Sequence, residues 1–367
     1  MELINYHKAL FSLLRLSLWQ NENEECIVCK LTNEEWQSLF DCAARQGVLA
    51  LAFDTLPERE AMPGLTKELF IRWGLSAKRI EDRNRRQVEA LKELIAVFRK
   101  EGIELLLLKG LGLSESYPRP AHRECGDMDI YLFGDYEKGN RLIEDLGIEV
   151  KRKSPKHSAF FFKGIPVDNH LSFLSVSRSK TDKNLEAHLS RILSTQGYDT
   201  ITIGGFEVRV PTPDFTAIFL ARHDIVHFLI SGVVLRHICD LALFFSNNAK
   251  NINFESFLKI LEEEHQLPLF SSFIEIARRH LGMRDTIIPF TEQDVKTTER
   301  VLKDTLYNSY MDIGREGLSK MQVFKRKAIG ARHLVNSKWK YDLVGKDEFY
   351  GRLMISFKAL SQLFGTD

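Results

Sequence analysis

No stretch of this sequence holds the roughly 20 consecutive apolar residues that a membrane-spanning helix needs, so no segment reads as a span and the chain reads as soluble. Charge of one sign is not in excess either. The 51 basic and 50 acidic residues leave +1, which excludes a global pull toward nucleic acid or anionic lipid and makes any basic partner site a local one. Cysteine is sparse, and its count of five is odd, which argues against a disulfide framework and for reduced thiols in the cytoplasm. Cys26 and Cys29 form a CxxC, yet no second CxxC or CxxH follows at zinc-site spacing and the flanking NENEE is unlike a thioredoxin turn, so neither zinc nor redox chemistry is assigned to them. The apolar ALFSLLRLSLW near the start is broken by Arg15 and followed by acid, which fits an amphipathic helix better than a signal sequence. Low-complexity tracts and fixed-period repeats are missing too. With 44% hydrophobic residues over 367 positions, the chain is long enough for two or three units with cores of their own.

Three zones follow one another. Residues 1–102 carry helical periodicity: TNEEWQSLFDCAARQGVLALAFDTL opens on a Thr32-x-x-Glu35 capping pattern, and LFIRWGLSAKRIEDRNRRQVEALKELIAVFRKEG runs apolar at three- and four-residue spacing until Gly102. Residues 103–212 change pattern. IELLLL and MDIYLF read as strands, DYEKGNRLIEDLG as a short helix, SAFFFKGIPVDNHLSFL as two strands about a Lys163-Gly164 turn, and TITIGGFEVRVPTP as a further hairpin. Residues 213–367 are again helical in pattern.

Within the middle zone, ELLLLKGLGLSESYPRPAHRECGDMDIYL sets two acids into an apolar strand. Side chains alternate along a strand, so Asp127 and Asp129 share one face while Met128, Ile130 and Leu132 take the other. Two adjacent carboxylates repel unless a divalent cation is shared between them, and Mg²⁺ favours one or two carboxylates together with substrate phosphates. In IPVDNHLSF the same parity puts Ile165, Val167, Asn169 and Leu171 on one face, and Asp168 and His170 on the other. A third carboxylate thus enters from another strand. Upstream, Gly110 lets backbone approach a phosphate closely and Lys109 offers a point charge.

A Lys-Gly turn, then Gly-Asp-x-Asp, then a later strand Asp resembles the nucleotidyltransferase superfamily of the DNA polymerase β type. More closely, LLLLKGLGLSESYPRPAHRECGDMDIYL with VDNH and LRHICDLALF resembles a bacterial family of uncharacterised nucleotidyltransferases, over roughly residues 30–245. Two departures from the superfamily stand out. Leu111 replaces the usual Ser or Gly of the turn, and 16 residues lie between Gly110 and Asp127.

The resemblance implies an α+β fold: a nucleotidyltransferase-type mixed sheet with flanking helices, between helical regions at 1–102 and 213–367. It also implies Mg²⁺- or Mn²⁺-dependent transfer of a nucleotidyl group from an NTP to an acceptor, which is a small molecule, a protein or an RNA. Asp127 and Asp129 would hold the metal that gathers the triphosphate, and Asp168 the second metal. Lys109 and Arg123 would supply cations near the phosphates, with Gly110 and Gly126 as nucleotide-binding turn residues and His170 as a partner that orients Asp168. Two other readings stay open, a non-catalytic nucleotide- or metabolite-binding protein on the same fold and a toxin–antitoxin component that modifies a protein or RNA.

Outside that set, His223 and His227 stand one helical turn apart, as a metal pair or as polar residues capping the cleft. Arg222 and His227 fit the short Arg-x4-His pattern of HEPN-type ribonucleases, and Arg236 and Asp240 have the spacing of a helix ion pair. The stretch 320–340, KMQVFKRKAIGARHLVNSKWK, is basic with Phe324 and Trp339 interleaved, which suits either an RNA or acidic-partner contact or a solvated helix face.

Overall fold

The strands of the middle zone assemble into a six-stranded mixed sheet, seen in a computed structural model that describes residues 3–20, 27–56, 62, 64–152, 155–177, 179–289, 294–308, 337–345 and 348. In chain order the strands are β1 (Leu106–Leu107), β2 (Met128–Tyr131), β3 (His157–Phe162), β4 (Ile165–His170), β5 (Tyr198–Ile203) and β6 (Phe206–Pro211). They lie side by side as β3-β4-β2-β1-β6-β5. The two outer pairs are antiparallel hairpins, turned at Lys163-Gly164 and at Gly204-Gly205, where φ is positive at all four residues. Between the hairpins, β2 runs parallel to β4 and antiparallel to β1, and β1 runs parallel to β6.

Helices precede and follow the sheet. The first group is α1 (Asn5–Trp19), α2 (Asn33–Arg45), α3 (Leu49–Asp54) and α4 (Lys67–Lys100). The Thr32–Glu35 capping box is formed at the start of α2, and Gly102, at φ 68°, follows the end of α4. Inserted in the sheet region are α5 (Leu111–Ser114), α6 (Tyr136–Asp145) and α7 (Lys180–Gln196). After it come α8 (Pro213–Ile230), α9 (Leu235–Asn248), α10 (Phe254–Glu263), α11 (Leu267–Leu281), α12 (Val295–Tyr307) and α13 (Lys338–Tyr341).

Two hydrophobic cores result. One joins α1–α3 to α8–α12, so the helices that precede the sheet and those that follow it share a single interior. The other lies under the sheet, where Met128, Ile130, Leu132 and Val167 meet Phe160 and Phe162. Helix α4 belongs to both. Its Leu69, Trp73 and Ala77 enter the helical core, and its Ala90, Leu91, Leu94 and Phe98 enter the sheet core.

Some elements differ from the sequence reading. The IELLLL run pairs as a strand only at Leu106 and Leu107, because the chain turns at Lys109-Gly110 into α5. Helix α7 was not anticipated. Its sequence is mostly polar, and it forms on a Ser179 cap that accepts from the Asp182 N–H, with Leu185 and Leu189 as the buried pair. Leu171 lies past the end of β4 and is 54% exposed, off the face given to Ile165 and Val167. The CxxC falls outside the residues whose side chains are described, as do 320–336 of the basic stretch.

Candidate active site: a cleft with three carboxylates

Adjacent parallel strands create the site. The β2–β4 register sets Asp129 beside Asp168, and alternation from Asp129 puts Asp127, just before β2, on the same face. Carboxylate oxygens of Asp127, Asp129 and Asp168 lie within 4.8 Å of one another. All three line a cavity of about 210 Å³, walled on the other side by His223 and His227 of α8. Met128, Ile130 and Val167 point away into the sheet core, which fixes the orientation of the acids.

Lys109 reaches in from the end of β1. Its Nζ lies 2.8 Å from Asp129 Oδ2, with 16% of the Lys109 side chain and 4% of the Asp129 side chain exposed. Burial works against both charges, yet the pair sustains them: Lys109 stays charged well above the usual lysine range, and Lys109 with His170 holds the Asp129 carboxyl far below the usual carboxylate range. At Asp168 the balance goes the other way, since Lys109 and Lys156 offset less than burial adds. Burial first, and then the charges of Asp129 and Asp127, push its carboxyl up to about 7. The cleft therefore holds one firmly ionised acid beside one that exchanges its proton near neutrality.

His170 belongs to this cleft but orients Asp129, its diagonal neighbour across the sheet, rather than Asp168. Its Nε2–H donates to Asp129 Oδ1 at 2.9 Å, while Nδ1 lies 3.2 Å from the Ser172 carbonyl. Burial lowers its pKa, while the bond to Asp129 works the other way. The residue beside Asp168 is His157, whose Nε2 stands 3.5 Å from Asp168 Oδ2 and whose ring stacks on that of His170. Burial brings His157 down to about 4. Lys156 lines the cavity next to it. No motif marks Lys156 or His157, but counting equal steps back from the Lys163-Gly164 turn pairs His157 with His170, as observed.

Arg123 is not brought to the acids, and Gly126, although it adjoins Asp127 in the chain, faces away from their cavity. Arg123 and Gly126 line a separate cavity of about 400 Å³ with Arg79, Arg83 and Arg236. Arg123 is instead paired edge on with Asp240 of α9, which also accepts from the Tyr117 hydroxyl at 2.6 Å. Asp240 is thus not the partner of Arg236, whose Nη1 donates to the Glu124 carbonyl at 2.7 Å. The 16 residues between Gly110 and Asp127 are pinned to α9 by these contacts. At Gly110, φ is 71° and an added Cβ would stand 3.0 Å from Cys125 Sγ, so both the turn and the close approach call for glycine. Leu111 is buried in the sheet core, which leaves no place there for a hydroxyl facing the cleft.

Arg222 is fully buried and committed to the scaffold, donating to Asp182, Gln266, Ser179 and Glu348. Its role beside His227 is therefore not that of a solvent-facing Arg-x4-His pair. At the far end of the basic stretch, Lys340 is buried against Asp304 and the Phe228 carbonyl, and Trp339 packs on Phe228 and Arg300.

Residues 32–282 match the profile of the family described as uncharacterised nucleotidyltransferase, and the chain belongs to that family. Among solved structures, it is similar to an antigenic nucleotidyltransferase-like protein from Paracoccidioides brasiliensis, with 13% identity, 53% of this chain and 94% of that chain covered, and a TM-score of 0.32. It is also similar to the Megavirus polyadenylate synthase, with 16% identity, 62% of this chain and 49% of that chain covered, and a TM-score of 0.28. Both scores are too low for either superposition to bear on function. No curated protein matches. Among the described residues, no helix is long and apolar enough to cross a membrane.

Proposed function

We propose that this cleft transfers a nucleotidyl group from an NTP to a hydroxyl-bearing acceptor, with Mg²⁺ or Mn²⁺ as the metal. The observation that carries the reading is the convergence of three carboxylates from two adjacent parallel strands within 4.8 Å. The donor set fits a hard cation. It is all oxygen, and burial together with the charges of Asp129 and Asp127 pushes Asp168 up to about 7, a strain that a shared cation would relieve. Asp127 and Asp129 would hold the ion on the triphosphate side and Asp168 the ion on the acceptor side. When bound, such ions neutralise the triphosphate and lower the pKa of the attacking hydroxyl.

The chain's own residues do the rest. Lys109 and His170 hold Asp129 ionised and in one orientation. Lys156, on the cavity wall, adds a cation where triphosphate oxygens enter. Asp168, on the acceptor side, would hold its ion where the attacking hydroxyl must approach. Arg123 acts at a distance as a positioning residue, since through Asp240 it anchors the loop that carries Gly126 and Asp127. A cytoplasmic setting is supported by Cys42, Cys125 and Cys239, all free and buried.

The test is incubation of the protein with each labelled NTP, Mg²⁺ and a cell extract, with Asp168→Asn as control. Label should pass to one acceptor with the wild type and not with the variant. Tight NTP binding with no label in any extract would replace transfer by binding alone.

A further inference from the structure

Across the cleft from the acids, the α8–α9 wall carries a second group of metal-ligating side chains. His223, Asp224 and His237 each place one ligand atom within 4.8 Å of the others. His227, one turn beyond His223, closes the group on one side, with its ring centroid 4.4 Å from that of His223 and 5.5 Å from that of His237. We propose that His223, Asp224 and His237 bind a first-row transition ion of the Zn²⁺ type, distinct from the hard cation of the carboxylate cleft.

The observation that separates a site from a packing cluster is Asp224. It is 2% exposed, and its Oδ2 is buried with no hydrogen-bond partner. Among the described residues it has no ion pair. The nearby cations are engaged elsewhere, Arg236 with the Glu124 carbonyl and Arg123 with Asp240. A buried, unpaired carboxyl is among the costliest groups a core can contain. The two imidazoles beside it leave that oxygen without a hydrogen bond, and a divalent ion shared among the three would satisfy it.

A neutral imidazole offers a lone pair on one ring nitrogen, and His223 and His237 each place such a nitrogen at the cluster. His237 Nδ1 lies 3.2 Å from the Val234 nitrogen and 3.3 Å from the Val234 carbonyl. Binding through Nε2 would put the ring proton on Nδ1, toward the Val234 carbonyl, an acceptor of the kind that orients metal-bound imidazoles. Two nitrogens and one carboxylate oxygen suit Zn²⁺ and its first-row neighbours, whereas Mg²⁺ prefers oxygen alone. Three protein ligands leave a coordination position open, and His223 also lines the carboxylate cavity, so the ion would stand in the cleft wall.

Co²⁺ is the probe, because nitrogen-ligated Co²⁺ of low coordination number absorbs visibly and oxygen-bound Mg²⁺ sites do not give that band. Full-length protein stripped with chelator is titrated with Co²⁺ and the spectrum followed, then Zn²⁺ is added to displace it. One equivalent should develop the band and Zn²⁺ should remove it. Asp224→Asn, nearly isosteric and free of the buried charge, should lose the band while keeping its far-UV circular dichroism, and His237→Asn should do the same. Asp129→Asn, altered only in the carboxylate cleft, should keep it, which separates this site from the proposed transferase chemistry. A wild type with no stoichiometric band, or an Asp224→Asn protein that retains it, overturns the assignment.

Discussion

Arg123 meets Asp240 edge on, Nε to Oδ1 at 2.7 Å and Nη2 to Oδ2 at 2.8 Å, with both side chains about nineteen-twentieths buried. This pair, 117 residues apart in the chain, fastens the loop before Asp127 to helix α9. Arg123→Ala would leave Asp240 buried with only the Tyr117 hydroxyl. Breaking one side of such a pair costs about 3–5 kcal/mol, to be read as a lowered urea midpoint. Tyr117→Phe removes one bond to a charged group and should cost about 1.5–3 kcal/mol. Arg123→Ala with an unchanged midpoint would show that the pair anchors nothing.

The acids should make the protein respond to divalent cations. Mg²⁺ or Mn²⁺ is expected to raise the Tm, and Asp129→Asn to weaken that rise, because the variant removes charge from the cation's ligand set. Melting curves with and without metal decide this. Equal shifts for both proteins would count against the site.

Asp168 adds a pH dependence whose sign is fixed by its raised carboxyl. Its pKa goes from 3.8 up to about 7, so the folded protein binds this proton more tightly than the unfolded chain does. The associated stability is fully present below pH 3.8 and is lost as pH climbs through about 7. In chelator-treated protein, Asp168→Asn should remove that part of the decline. Since Mg²⁺ competes with the same proton, its stabilising shift should grow over this range and level off above it. A Mg²⁺ shift that is equal at about pH 5 and about pH 8 would contradict the coupling.

The two strands should divide their labour. Asp127→Ala is expected to damage both NTP binding and transfer, since the triphosphate is held on that side. Asp168→Ala should spare binding while lowering transfer by about 10²-fold or more, the scale on which a single preorganised charge-stabilising group acts. Calorimetric NTP titration beside a labelled-transfer assay reads both quantities. If neither variant alters NTP binding, the cleft is not the nucleotide site.

His170 offers a finer test. Its Nε2 meets Asp129 Oδ1 at 2.9 Å, so His170→Ala should leave the carboxylate in place but loosely held. Metal affinity would fall by about 10–100-fold, measured by Mn²⁺ titration, with far-UV circular dichroism unchanged. No change would mean that Lys109 alone orients the acid.

Much of this arrangement was legible because strand parity is a local property. Alternation alone could set Asp127 with Asp129 and Asp168 with His170, and the turns could mark the two hairpins, but the meeting of the two strands' acids rested on the resemblance and is made by the β2–β4 register. The partners of the charged residues were not legible, since spacing on a helix shows which residues are neighbours and not which neighbour wins. Asp240 had Arg236 one turn away, yet took Arg123 and Tyr117 from a loop more than a hundred positions earlier. Helix α7 does carry a signal, since Leu185, Leu189, Ile192 and Leu193 recur at helical spacing among polar residues and pack on the helical core. The assignment of His170 to Asp129 required the β2–β4 register, which no motif encodes.

Helix α1 has a consequence for the way the chain is made. Its Arg15 and Trp19 donate to the carbonyls of His280 and Leu281, 265 and 262 residues further along. Leu10, Leu13, Leu14 and Leu18 on its inner face are buried in the core that it shares with α11. During synthesis at about 5–20 residues per second, that apolar face waits on the order of 10 to 50 s for its partner to be made. Through that interval α1 can pack only on α2 and α3, and the part of its apolar face that α11 covers stays open to water.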